Sequence, residues 1–188
     1  MKDLRREYRA RAVNWNAQRI KFLDESGVYL GMTPQYGWAQ AGQRVPDAVP
    51  INYGSAWTIV AAIGPDGVQA PWLLEGSMTS AAFDAYVTNE LSRTLQPGDI
   101  VVMDNLGAHR SANARQAIEA RGARIEFLSP YSPDFNPIEM CWAKVKSALR
   151  RAKAQAGDTL LTALADALRA VSTADIMHCV RHCGYALP

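Results

Sequence analysis

No apolar run in the chain approaches the roughly 18 residues that a membrane-spanning helix requires. The first residues, MKDLRREYRARAV, are charged where a secretory leader needs an apolar centre. Cysteine is scarce and odd in number: Cys141, Cys179 and Cys183 are all there is. That excludes a secreted disulfide scaffold and fits a reducing compartment, so a cytoplasmic protein is expected. There is no G-x-x-x-x-G-K-[ST] phosphate loop and no G-x-S-x-G elbow, so nucleotide hydrolysis and serine-esterase chemistry lack their usual markers. Internal repeats and low-complexity tracts are also missing. What remains is an ordinary globular composition, 48% hydrophobic and 20% charged over 188 residues, enough for one domain with a sizeable core.

The net charge of +2 says little, but its distribution says more. Residues 1–21 carry seven basic residues (Lys2, Arg5, Arg6, Arg9, Arg11, Arg19, Lys21) against Asp3 and Glu7. Residues 144–153 carry Lys144, Lys146, Arg150, Arg151 and Lys153 with no acid. Two basic clusters on a nearly neutral chain suit an anionic partner, although solvated helix faces have the same composition.

Residues 1–19 read as a basic helix or arm ahead of a domain over 20–188. Ile20–Asp24 is a short apolar strand, and 27–50 reads as turns around a further short strand. Ser55–Ile63 and Val68–Leu74 flank the turn Gly64-Pro65-Asp66-Gly67 and form a hairpin. Thr79 or Ser80 caps a helix running to about Leu95, with Phe83, Tyr86, Val87 and Leu91 inward. Asp99–Asp104 is a continuous apolar strand of the buried, central kind. A helix over Ser111–Arg121, a strand over Ala123–Leu128, a proline-punctuated loop and a helix from Pro137 to about Ala154 follow, then one or two helices over 158–183. The order implies an α/β domain whose mixed sheet is antiparallel in its first half and parallel after it.

Asp24 closes IKFLD and Asp104 closes DIVVMD. If those strands lie side by side and parallel, both acids reach one sheet edge, where open α/β sheets place their sites. Glu139, in the first turn of the helix after the next strand, approaches the same edge. Three converging carboxylates need a cation, and all-oxygen ligation favours Mg²⁺ or Mn²⁺ over Zn²⁺. Two such ions can activate a water and stabilise the leaving oxygen in phosphodiester cleavage. Taken singly, each acid has an ordinary explanation as turn former or helix-dipole partner; the argument rests on the three together.

These motifs carry a resemblance. FLDESGVYL, W-A-x-x-G from Trp38 to Gly42, VVMDNLGAHRS, FLSPYSPDFNPIEMCWAKVKS and the final RHCGY resemble the mariner-like bacterial insertion-sequence transposases of the DDE superfamily. The 34 residues between Asp104 and Glu139 (105–138) are similar to that family's second-Asp-to-Glu interval. The resemblance covers roughly residues 20–185. It implies a ribonuclease-H-like fold with a mixed five-stranded sheet flanked by helices, and a two-metal site. In it Asp24 would contact both ions, Asp104 one or both, and Glu139 one. It further implies cleavage of DNA at terminal inverted repeats, attack of the freed 3′-hydroxyl on target DNA, insertion at TA dinucleotides and action as a homodimer. Relatives carry N-terminal helix-turn-helix modules, and about 19 residues ahead of the first strand are too few for one. End recognition is therefore expected from a separately encoded part, unless the copy is truncated.

Around the triad, Glu25 points to the opposite strand face from Asp24. Asn105 is expected to hold its loop or a phosphate. His109 either approaches the scissile phosphate or orders the loop. Asp134 and Asn136 read as turn and N-cap residues rather than ligands, and Asp99 as a strand starter. On the Glu139 helix, Ile138, Cys141, Trp142, Val145 and Leu149 form the buried stripe. Lys146, Arg150 and Lys153 follow Glu139 at spacings of 7, 11 and 14 and form a basic ridge suited to a DNA backbone. The cluster His178, Cys179, His182 and Cys183 matches no common zinc pattern. Trp38, Trp57, Trp72 and Trp142 read as core rather than base-stacking platforms. The competing readings are another ribonuclease-H-like nuclease, such as a ribonuclease H or junction resolvase, an inactive transposase remnant that only binds DNA or dimerises, and, more distantly, a two-carboxylate glycosidase.

Overall fold

The computed structural model describes residues 2–49 and 54–185. Five strands form one sheet in the order β3-β2-β1-β4-β5: β1 Ile20–Tyr29, β2 Ala56–Gly64, β3 Gly67–Glu75, β4 Ile100–Met103 and β5 Arg124–Phe127. The pairs β1–β2 and β2–β3 are antiparallel, whereas β1–β4 and β4–β5 are parallel. The hairpin turns at Pro65-Asp66, closed by the pair Gly64↔Gly67. Gly67 takes φ 103°, a left-handed value that favours glycine.

β1 differs from the sequence expectation. It does not end at Asp24 but runs on to Tyr29, and residues 30–49 contain no strand; residues 50–53 lie outside the described ones. The reason is long-range pairing. β4 pairs with β1 only over Ile20–Phe22, while the other edge of β1 stays bonded to β2 as far as Tyr29↔Ala56.

Strand alternation divides the apolar side chains between two cores. Phe22, Val28, Ile59, Ile100 and Val102 face one layer, built from α1 (Lys2–Ala12), α5 (Ile138–Ala152), α6 (Gly157–Arg169) and α7 (Thr173–His182). Leu23, Val60, Val101 and Met103 face the other, built from α2 (Ser80–Tyr86) and α4 (Ala112–Glu119). All four residues of β4 are buried, which is why it reads as an unbroken apolar run.

The helix expected to run to Leu95 is broken into α2, a π-turn over Val87–Leu91 and α3 (Ser92–Thr94). The wider turn keeps Val87, Leu91 and Leu95, spaced by fours, buried on one side. Thr79 is its cap, accepting from Ala82 N.

α1 docks on the body of the domain instead of standing off as an arm. Tyr8 is buried, stacks on Phe135 at 5.5 Å and meets Trp15 edge-on at 5.6 Å. Tyr8 and Tyr185 share a 2.6 Å hydroxyl–hydroxyl hydrogen bond, and Tyr185 donates to the Phe135 carbonyl at 2.7 Å. The first helix and the chain after α7 thus both hold the loop that precedes α5. No helix among the described residues is long and apolar enough to cross a membrane.

Candidate active site

The β1–β4 register pairs Phe22 with Val102, and two residues further along each strand stand Asp24 and Asp104. Asp24 therefore reaches the edge where β4 stops, although β1 itself continues. Its side chain lies on the Phe22 face, toward the layer that contains α5. Glu139 enters from the first turn of α5. Asp24, Asp104, Asn105, Ser129, Asn136 and Glu139 line one cleft of about 530 Å³.

Asp24 is the unusual member. It is 8% exposed, and no cation pairs with it among the described residues. Burial pushes its carboxyl up to about 8; the charges of Glu139, Glu25 and Asp104 push the same way, and a backbone hydrogen bond from Glu25 pulls against them. Its one side-chain donor is Asn136 Nδ2, at 3.2 Å from Oδ2. Asp104 behaves oppositely. His109 Nδ1 donates to its Oδ1 at 2.6 Å and Leu106 N donates at 3.0 Å, so its carboxyl is held below the usual carboxylate range.

A divalent cation fits the donor set. Every group offered to the cleft by these residues is an oxygen or an amide, and two polar atoms on its wall, Asn136 Oδ1 and Ser129 Oγ, are buried with no partner. In this arrangement the acids surround one cleft without being drawn to chelating distance: among the described residues no three His, Cys, Asp or Glu side chains are close enough to hold one ion. Asp24, Asp104 and Glu139, with Asn136 alongside, are the residues that would hold it.

His109 does not face the cleft as a phosphate contact. It is 1% exposed, with Nε2 bonded to Glu25 Oε1 at 2.8 Å and Nδ1 to Asp104. Burial opposes its cation, but the two carboxylates win and raise it to about 10. Both ring nitrogens are spent on ordering the loop, which leaves neither for DNA. Glu25, on the opposite face of β1 from Asp24, steadies Asp104 through this ring. Asn105 is exposed on the cleft wall and accepts from Arg110 Nε at 2.9 Å.

The basic ridge is shorter than its spacing implies. Lys146 and Arg150 lie on α5, half-buried. Lys153 lies beyond the helix in a left-handed conformation (φ 49°), and its ammonium pairs with Asp47, so it is not a free ridge cation. Trp142 is buried, but Trp38 is fully exposed in the strandless segment after β1, contrary to the core reading. Cys179 and Cys183 are buried and His182 exposed, so the four His and Cys residues face different surroundings.

Sequence reasoning missed Asn136. An Asn before Pro at a helix start reads as a turn former, and no local signal distinguishes that from a carboxamide 97% buried against Asp24. Asp134, its neighbour, is the ordinary case: it forms a bidentate pair with Arg5.

Residues 19–161, well over half of the chain, match the family described as DDE superfamily endonuclease. The chain belongs to the DDE superfamily endonucleases. No curated protein sequence matches it. Among solved structures, this DDE domain is similar to the Mos1 mariner paired end complex with Mn, at TM-score 0.75 and 19% identity, over 97% of this chain and 59% of that one. It is similar also to the Mos1 transposase paired-end complex with left transposon end (0.73, 19%, covering 100% and 61%). With the catalytic domain of Mos1 mariner transposase the values are 0.63 and 16%, covering 100% and 91%. At these identities the likeness is one of fold: the mixed five-stranded sheet flanked by helices is that of the Mos1 catalytic domain. The chain spans about three fifths of the Mos1 chains in the DNA complexes.

Proposed function

We propose that this DDE domain is the catalytic part of a DNA transposase, cutting phosphodiester bonds at transposon ends and joining the freed 3′-hydroxyl to target DNA. The observation that carries the reading is Asp24, a buried carboxylate facing Asp104 and Glu139 across a cleft with no cation of its own. Such a group lowers its energy by gaining a divalent ion, and Mos1 complexes have been solved with Mn and with Mg. Two bound Mg²⁺ or Mn²⁺ ions would supply the positive charge that polarises the phosphate and lowers the pKa of the attacking water.

The protein's own groups divide the remaining work. Asp24, set in the sheet opposite Ala61, would be one ligand. Asp104, kept ionised and oriented by His109, faces it from the next strand. Glu139 is carried in by α5 from the exposed side. Water attacks phosphorus and gives up a proton, and the strand's 3′ oxygen leaves and takes one. In the second step the 3′-hydroxyl so formed attacks a target phosphate and displaces the target strand's own 3′ oxygen, which leaves as a hydroxyl. Lys146 and Arg150 are suited to the DNA backbone. End recognition is assigned to a helix-turn-helix part outside this domain, two copies to one pair of ends, insertion to TA dinucleotides, and the setting to bacterial cytoplasm at the nucleoid.

The test is nicking of DNA by the wild type and by Asp104→Asn in Mg²⁺ and in Mn²⁺. Metal-dependent nicking that disappears in the variant is expected. Equal nicking by both proteins would remove Asp104 from the site, and nicking that survives chelation would end the metal-dependent reading.

A further inference from the structure

A second cleft of about 530 Å³ opens between α1, the loop before α5 and the end of α7. Asn136 and Glu139 line both clefts, so the two meet at the rim of the candidate active site. Arg9 stands on the wall of the second. Its guanidinium lies over the Phe135 ring at 4.6 Å from the centroid, while Tyr8 stacks on the same ring. Arg5, one turn earlier, is committed to Asp134. Among the described residues no acid forms an ion pair with Arg9. It stands over an aromatic ring; Asp134 lines the same cleft and senses its charge, but that carboxylate is taken up by Arg5, which leaves Arg9 able to take an anion. Exposed His182 at the end of α7 adds two nitrogens, and Val13 and Met140 add apolar surface.

We propose that this cleft is a nucleotide subsite, which holds the DNA strand next to the phosphate under attack. The inference rests on the transposase reading and names a path for its substrate. Arg9 takes the neighbouring phosphate, and Val13 and Met140 take the deoxyribose. A strand lying across the catalytic cleft has to leave it over a rim, and the Asn136–Glu139 rim opens directly onto a fixed cation. A nucleotide has this composition, one anion joined to a sugar with an apolar C–H face, whereas a purely apolar ligand would leave Arg9 desolvated and unpaired.

The test is binding of short DNA in Ca²⁺, with a neutral methylphosphonate walked along the phosphates on both sides of the mapped nick. Arg9→Gln keeps a flat amide over Phe135 and removes the charge; Arg9→Lys restores the charge. Arg9→Gln should weaken binding about five- to tenfold and lower the salt slope by about 0.7–0.9, with Arg9→Lys recovering most of both. At one phosphate adjacent to the nick, the methylphosphonate should weaken the wild type and leave Arg9→Gln unaffected. Identical methylphosphonate profiles in the two proteins, or an Arg9→Gln that folds and binds like the wild type, would overturn the subsite while leaving the nuclease in place. A wild type that neither nicks nor binds DNA would overturn both.

Discussion

The strands β1 and β4 hold a buried aspartate at each end of their shared edge, and the two are treated in opposite ways. At the entry end, Asp99 is 3% exposed and surrounded by donors. Lys21 Nζ lies 3.7 Å away, Arg19 Nη1 3.6 Å, and the Gln96 amide donates at 2.9 Å. Lys21 is itself 4% exposed and bonded to Gln69 Oε1 at 2.6 Å. At the exit end, Asp24 is nearly as buried, but it meets three other acids and one carboxamide. Burial does not separate a structural acid from a functional one; the identity of the partner does. Asp99 has its cations built into the chain, whereas Asp24 has none among the described residues, as the proposed metal site requires.

The sharpest way to break the comparison is Asp24→Asn. Cleavage should fall to background, while the metal-free protein should gain on the order of 1–3 kcal/mol at pH 8. The sign follows from the raised carboxyl. Folded Asp24 keeps its proton up to about 8, whereas the unfolded chain releases it near 3.9, so metal-free stability should fall as pH rises between about 4 and 8. Denaturant titrations in chelator at pH 5 and pH 8 measure this; an equal slope in wild type and variant would return Asp24 to the ordinary carboxylates. Lys21→Gln tests the other end. It should cost roughly 3–5 kcal/mol, because Asp99 loses its buried partner, without altering the metal dependence of whatever nicking remains. A stable Lys21→Gln would mean that Arg19 and the Gln96 amide suffice.

Smaller effects sharpen the same contrast. Asn136→Leu keeps the branched heavy-atom skeleton and removes both polar functions. Calorimetry should find Mn²⁺ bound about tenfold more weakly, with the metal-free melting temperature little changed. Unaltered Mn²⁺ affinity would make Asn136 a packing residue only. Smallest of all is the ridge: Lys146→Ala and Arg150→Ala should each lower the DNA-binding salt slope by up to about 0.9, and Lys153→Ala least, since Asp47 already holds it. Equal slopes for all three would show that the ridge is merely solvated.

The sequence carried the architecture well because the signals were local. Period-2 strands, a Gly-Pro-Asp-Gly turn and a continuous apolar β4 are written in neighbouring residues. The convergence of the three acids on one cleft was legible for a similar reason: Asp24 and Asp104 each follow a short apolar run, and Glu139 stands in the first turn of a helix. What was not legible depended on distant pairing. The length of β1 is set by β2 on its far edge, more than 25 residues away in sequence. The burial of His109 is set by Glu25, 84 residues earlier, and the placement of Asn136 by Asp24, 112 residues earlier. Lys153 lost its place on the ridge because α5 ends one residue before it.

The bond from Tyr185 to the Phe135 carbonyl also sets an order of events. Glu139 follows Phe135 by four residues, but its loop is tied down by a side chain 50 residues further along the chain. A polypeptide emerging from the ribosome therefore displays all three acids well before that tie can form. Until then the loop that carries Phe135 lacks the hydroxyl that holds its carbonyl in the folded domain.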